Sequence, residues 1–237
     1  MSYQFDPRLA FAATIPSRYY TDTAVLTAEN ERVFGCTWQL AGHVEQVREP
    51  GQFFTVRIAD EPVLVVRGSD GVLRAMSNVC RHRAGPVAKG SGKRPVLQCG
   101  YHGWTYGLDG NLLNTPEMKG IEQFDRGAFC LPQFRVELWH GLVFVNLDPG
   151  AMPLRDFLGS DLFDHLGRRD NSDYRLAARK EWELDCNWKV YVDNYLEGYH
   201  IPIVHPSLFR ELDYPKYWTE TKKHHSIQHA PDRKSVV

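Results

Sequence analysis

Residues 80–104 read Cys80-Arg81-His82-Arg83-Ala84-Gly85-Pro86-Val87-Ala88-Lys89-Gly90-Ser91-Gly92-Lys93-Arg94-Pro95-Val96-Leu97-Gln98-Cys99-Gly100-Tyr101-His102-Gly103-Trp104. The stretch holds a Cys-x-His pair and a Cys-x-x-His pair, with sixteen residues between His82 and Cys99. A metal site needs about four soft or borderline ligands, and two short loops can supply two each. In a two-iron, two-sulfide cluster the thiolates can take one iron and the imidazoles the other. Neutral imidazole in place of thiolate lowers the cluster's negative charge and raises its reduction potential. A structural Cys₂His₂ zinc site uses the same donors, but zinc fingers usually keep their cysteines together on one side and their histidines on the other. Here each half mixes the two, which favours the cluster over zinc and both over four unrelated buried side chains.

Cys80-Arg81-His82-Arg83 and Cys99-Gly100-Tyr101-His102-Gly103-Trp104 resemble the two cluster loops of Rieske proteins, and the spacing resembles that of the Rieske non-haem iron oxygenases. The resemblance implies a [2Fe–2S] cluster with Cys80 and Cys99 on one iron and His82 and His102 on the other.

Outward from these loops, residues 38–148 alternate short strands with turns. Phe53 to Ile58 alternates, Val63 to Arg67 is a buried-type run, and Asp70-Gly71 is a hairpin turn leading through Val72 to Val79 into Cys80. Pro95 to Gln98 delivers Cys99. Trp104 to Leu113 turns at Asp109-Gly110, and Phe134 to Leu147 turns at His140-Gly141. This predicts a small antiparallel β-domain over 37–150, closed by Asp148-Pro149-Gly150. Before it, residues 1–36 predict an arm and a helix from Asp22 or Thr23 to Phe34 with a one-sided apolar stripe.

After residue 150 the pattern becomes helical over Leu154–Leu166, then polar over 167–173, then weakly alternating over Arg175–Leu184, which predicts a strand. Residues 187–200 place Trp188, Tyr191, Val192, Tyr195 and Tyr199 at helical spacing. Glu197 and His200 then fall side by side on that helix. Pro202 ends it, and the next turn returns His205 to the same neighbourhood. Two imidazoles and a carboxylate are the donor set of a non-haem Fe(II) site with open positions. Taken alone, the stretch reads more readily as a core stripe of aromatic residues than as a metal site. It resembles the mononuclear-iron motif of the Rieske oxygenase catalytic domain. That implies His200 and His205 as iron ligands and Glu197 as the carboxylate joining the iron site to the Rieske histidine of a neighbouring subunit. Asp193 and Asn194 match acidic and amide positions of the same helix.

The family's third ligand is an aspartate on a late helix. Only 32 residues follow His205, and their carboxylates (Glu211, Asp213, Glu220, Asp232) lie in no such helix. The segments Tyr214–Tyr217 and Lys222–His229 predict the first strands of a catalytic sheet, with His224, His225 and His229 solvent-exposed. The expected fold is therefore α+β: a small antiparallel Rieske domain, then at 151–237 the first part of a helix-grip (START-like) catalytic domain, C-terminally truncated.

The 237 residues are 43% hydrophobic and 24% charged, with a net charge of −1. This is an ordinary globular composition with no basic footprint for nucleic acid. No apolar run reaches membrane-spanning length and no secretory signal is visible, so a cytoplasmic protein is expected. Of five cysteines, Cys36, Cys130 and Cys186 lie outside the cluster motif and are expected as buried free thiols. The resemblance implies an oxygenase component. It would receive electrons from an NAD(P)H-dependent reductase or ferredoxin and pass them from the cluster to a mononuclear Fe(II). O₂ would be activated there to hydroxylate an aromatic ring or a quaternary ammonium compound, in a homotrimer. Glu197 in place of the aspartate of ring-hydroxylating dioxygenases points to the choline- and betaine-like branch. A pure Rieske electron carrier, a zinc-stabilised module and an inactive cluster-only fragment are the alternatives.

Overall fold

The computed structural model describes residues 3–118, 120–166, 171–178 and 180–233. Two compact units emerge, Ala28–Arg179 and a second formed by Met1–Thr27 with Lys180–Val237.

The first unit is built on ten strands: β1 Gln39–His43, β2 Gln52–Ile58, β3 Glu61–Arg67, β4 Leu73–Ser77, β5 Ser91–Lys93, β6 Leu97–Gln98, β7 Thr105–Tyr106, β8 Leu112–Asn114, β9 Gln133–Trp139 and β10 Leu142–Asn146. Seven pair in the order β1-β10-β9-β4-β3-β2-β5, and β6-β7-β8 form a separate three-stranded sheet, all antiparallel. The antiparallel β-domain and each of its three hairpins follow the sequence expectation.

The apolar run in β3 has a simple cause. Val63, Leu64, Val65 and Val66 are all fully buried, but on opposite faces, because successive strand side chains alternate. Leu64 and Val66 pack with Phe53, Met76, Leu97, Trp104, Tyr106 and both motif cysteines. Val63 and Val65 pack with Val47, Phe54, Ile58, Val143 and Val145. Each such side chain contributes about 1.5–3 kcal/mol of burial. One face of the central sheet is thus the floor under Cys80 and Cys99, and the other is an independent core.

Beyond β10, the predicted helix Leu154–Leu166 is two helices, α3 Leu154–Leu158 and α4 Ser160–Leu166. Gly159 between them adopts φ +87°, a left-handed conformation that ends the first helix. Of the polar loop over 167–173, residues 167–170 lie outside the described residues. Arg175–Leu184 forms no strand among the described residues. Leu176, Trp182 and Leu184 stay exposed, and without a ladder partner a weakly alternating segment has nothing to pair with.

The N-terminal helix, α2 Thr23–Glu29, is capped by Asp22, whose carboxylate accepts the Ala24 N–H at 2.8 Å. It runs into a π-helical turn over Asn30–Phe34. Its apolar stripe is at most half-buried, and Leu26 and Val33 are exposed. A short helix, α1 Arg18–Thr21, lies within the segment read as an arm.

The second unit carries α5 Trp188–Tyr195, α6 Ile201–Val204, α7 Pro206–Glu211 and the hairpin β11 Trp218–Thr221 with β12 Ser226–His229. The predicted strand at Tyr214–Tyr217 is instead a 3₁₀ turn over Tyr214–Lys216, entered through Pro215. His224 is exposed as expected, whereas His225 and His229 are half-buried, the latter stacked on Trp218 at 3.8 Å. No helix among the described residues is long and apolar enough to cross a membrane. Cys36 and Cys186 are exposed and Cys130 half-buried, all as free thiols, so burial of these three does not hold. Cys36 sits past the π turn with its thiol on the Glu31 carbonyl rather than in a core.

Candidate metal centres

The first motif loop leaves β4 and folds back on itself. The Cys80 N–H donates to the Gly85 carbonyl at 2.8 Å and the Ala84 N–H to the Cys80 carbonyl at 3.0 Å. Asn78, buried, holds the return strand: its amide donates to the Ala88 carbonyl and accepts the Ala88 N–H, both at 2.9 Å. The second loop joins β6 to β7. There the Cys99 N–H donates to the Trp104 carbonyl at 2.9 Å, and Gly103, at φ +71°, donates to Cys99 at 3.1 Å. Gly85 brings the loops together: a Cβ there would stand 3.2 Å from the Cys99 sulfur.

This arrangement puts both cysteines inside, each 3% exposed, and both histidines outside. The His82 ring stacks on buried Trp104 at 4.8 Å with an interplanar angle of 5°, and meets the His102 ring edge-on at 4.6 Å. Desolvation by the neighbouring rings, then the nearby His102 and Arg83, holds the imidazole of the exposed His82 below its usual pKa.

Tyr106 was not visible as a site residue in the sequence. Its fully buried hydroxyl lies 3.3 Å from the Cys80 sulfur and accepts the Arg81 N–H at 3.0 Å. Because the backbone N–H occupies the oxygen, the phenol's own proton is available to the sulfur. Burial first, then Cys80, pushes the Tyr106 pKa well above that of an ordinary phenol, so it stays a donor.

Among the described residues no three of His, Cys, Asp and Glu converge on a single-ion site. Tetrahedral zinc requires its donors about 2.0–2.3 Å from one ion. A two-iron cluster instead takes one pair at each end, which suits buried thiols on one side and facing imidazoles on the other.

The second motif differs from its prediction in detail. Asn187 caps α5 by accepting the Lys189 N–H at 3.1 Å, but the helix ends at Tyr195. Glu197 and His200 therefore lie in the following turn and not on a helix face. Gly198 is a poor helix former, and a Cβ there would stand 2.4 Å from the Tyr217 ring. The Tyr214 hydroxyl also takes the Gly198 carbonyl at 3.1 Å.

Glu197 and His200 nonetheless meet, because the turn replaces the helix: His200 Nδ1 to Glu197 Oε1 is 2.5 Å. The other carboxylate oxygen accepts the Tyr199 and His200 backbone N–H groups. Desolvation opposes the charge, but these contacts outweigh it and hold Glu197 below the usual carboxylate range. Pro202 does not end a helix. It occupies the first turn of α6, where a missing N–H costs nothing. One turn on, the His205 ring lies 5.2 Å from that of His200. Asp193 accepts the Tyr20 hydroxyl at 2.6 Å. Among the described residues no carboxylate joins His200 and His205 as a third candidate ligand.

Residues 37–125 match the family model of the Rieske [2Fe–2S] domain, and residues 171–235 that of the ring hydroxylating alpha subunit (catalytic domain). The chain is homologous to Rieske oxygenase alpha subunits. The Rieske domain implies the [2Fe–2S] cluster, and the catalytic family implies a mononuclear iron. The chain is 36% identical to the chloroplastic choline monooxygenase of Arabidopsis thaliana, covering 95% of this chain and 56% of the relative. It is also 36% identical to the carnitine monooxygenase oxygenase subunit of Acinetobacter pittii, covering 94% and 61%. A solved quaternary ammonium Rieske monooxygenase, reported for carnitine oxidation and inter-subunit electron transfer, superposes with a TM-score of 0.86 at 35% identity, over 94% of this chain and 61% of that one. The Rieske homologue described here thus spans between 56% and 61% of the length of these three proteins.

Proposed function

We propose that this chain belongs to the oxygenase component of a Rieske-type monooxygenase or dioxygenase, with a small organic substrate and O₂. Cys80 and Cys99 hold one iron of the cluster, His82 and His102 the other, and His200 and His205 hold the mononuclear Fe(II). The observation that carries this reading is the occurrence, in one chain, of two paired Cys/His loops and a separate pair of neighbouring imidazoles, of which His200 is bonded to Glu197.

When bound, the two centres supply one-electron storage and oxygen activation. The chain's own residues do the positioning. The Tyr106 hydroxyl directs its proton to the Cys80 sulfur, and Trp104 fixes the His82 ring plane. Glu197 keeps a proton on His200 Nδ1, which leaves Nε2 as the metal-binding nitrogen. The carboxylate keeps unused lone pairs, so it can also accept a hydrogen bond from a neighbouring subunit's histidine.

A homotrimer, electron supply from an NAD(P)H-dependent reductase or ferredoxin, a cytoplasmic location and the division 1–36, 37–150 and 151–237 complete the proposal. The matches at 37–125 and 171–235 fall within the last two ranges. A quaternary ammonium substrate is favoured over an aromatic ring, because the relatives named above act on choline and carnitine. The second reading is a chain whose working part is the cluster alone.

Iron, zinc and acid-labile sulfide analysis with EPR of the reduced protein tests the first centre; zinc without sulfide would refute it. Iron content of the His200→Ala and His205→Ala proteins separates the two readings. Loss of non-sulfide iron supports the oxygenase, and unchanged iron leaves only the cluster-bearing chain.

A further inference from the structure

The surface around the two motif loops carries charge that the centres themselves do not explain. From Asn78 to Gly107 the sequence has Arg81, Arg83, Lys89, Lys93 and Arg94 and not one aspartate or glutamate, in a chain whose net charge is −1. Lys93 is paired with Glu49 at 2.6 Å. Arg81, Arg83, Lys89 and Arg94 are exposed and, among the described residues, form no ion pair. Cations without ion-pair partners on neighbouring loops repel one another, although Arg94 also lies over the Phe53 ring at 5.6 Å, and a partner of opposite sign relieves that repulsion.

Two grooves flank the loops. One, of about 580 Å³, is bordered by Arg81, His82 and Arg83, but its wall includes Glu61. The other, of about 490 Å³, is lined by Pro86, Lys89, Arg94, Gln98, Gly100 and Tyr101, and its charged groups are all positive. Its floor lies close to the cluster ligands. A Cβ on Gly100 would meet nothing within 4 Å, so the backbone next to Cys99 is bare. Tyr101, 64% exposed, lies against the His102 ring at 3.7 Å.

We infer that the electron donor docks by an acidic protein surface in the Lys89–Arg94 groove, over Cys99 and Tyr101, rather than in the groove beside His82. This rests on the cluster assignment above. Each encounter moves one electron from the donor, which is oxidised, to the two-iron centre, which is reduced. The surface leaves the neighbourhood of His82 and Arg83 open to a second contact.

The test uses the full chain with its cluster, at about 0.1 M ionic strength, where charges act over about 10 Å. One arm titrates a fluorescent glutamate-rich peptide by anisotropy. The other follows oxidation of the reduced protein by the anion hexacyanoferrate(III) and by the cation hexaammineruthenium(III). Lys89→Glu/Arg94→Glu should weaken the peptide and slow hexacyanoferrate by about tenfold or more, with no slowing of the cation. Arg57→Glu, at the far end of β2, should change neither. Unchanged peptide affinity in the double variant, or a larger loss in Arg81→Glu/Arg83→Glu, overturns the inference. A wild-type chain lacking acid-labile sulfide overturns the functional reading instead, while the peptide titration, which needs no cluster, still accepts or rejects the surface.

Discussion

Replacing Tyr106 with Phe removes one oxygen from a fully buried site and leaves the ring packing in place. That oxygen is 3.3 Å from the Cys80 sulfur and 3.0 Å from the Arg81 nitrogen. A hydrogen bond to a charged acceptor is worth about 1.5–3 kcal/mol. Reduction adds one negative charge to the centre that Cys80 is proposed to ligate. If roughly half of the bond's strength is gained on reduction, the reduced form loses about 0.7–1.5 kcal/mol more than the oxidised form. With about 59 mV per tenfold for one electron, that difference lowers the midpoint potential by about 30–60 mV. Leaving the Arg81 N–H without its acceptor destabilises the fold by a further ~1–3 kcal/mol. Potentiometric titration followed by EPR gives the potential, with sulfide content confirming that the cluster is retained. Tyr101→Phe, on the exposed ring beside His102, serves as the control and should leave the potential unchanged. A Tyr106→Phe protein with full sulfide and a midpoint within about 10 mV of wild type would mean that the phenol does not donate to the sulfur.

Glu197→Ala should lower iron affinity at the second centre about 10- to 100-fold, read by chelator competition, because His200 loses the partner that sets its tautomer. Equal affinities would show that the carboxylate does not orient the ring. Asn78→Ala strands both polar groups of Ala88 in a buried position and should cost about 2–5 kcal/mol in urea unfolding, with cluster loss at mild denaturant; a cost under about 1 kcal/mol contradicts the clasp. Gly198→Ala drives a methyl into the Tyr217 ring and should destabilise by about 1–3 kcal/mol, seen as a lowered Tm. An unshifted melting curve would show that the turn relaxes freely.

The β-domain was legible because its signals are local. Alternation in β2, the doubly buried run of β3 and the Asp70-Gly71 turn each act within a few residues, and the Cys/His spacing sits on hairpin tips whose hydrogen bonds are short-range. The second site was legible in its residues but not in its backbone. Periodicity over 187–200 continues through Gly198, whereas the helix stops at Tyr195, because the Tyr217 ring and the Tyr214 hydroxyl reach Gly198 from residues nearly twenty positions later. The same tertiary control makes Pro202 a beginning rather than an end. Tyr106 was missed for a related reason: a tyrosine in a short strand gives no hint of what its hydroxyl meets, although a buried phenol needs a partner. Arg175–Leu184 shows the opposite failure, a weakly alternating pattern that forms no strand among the described residues.

The hydrogen bonds that shape both loop tips run between backbone groups and through Asn78, and none of them needs a metal. The two donor types are sorted by depth: Cys80 and Cys99, each 3% exposed, rest on the inner face of the sheet, while His82 and His102 face solvent. A partner approaching from outside therefore meets the histidine end of the paired loops first, and the sulfur end lies behind it.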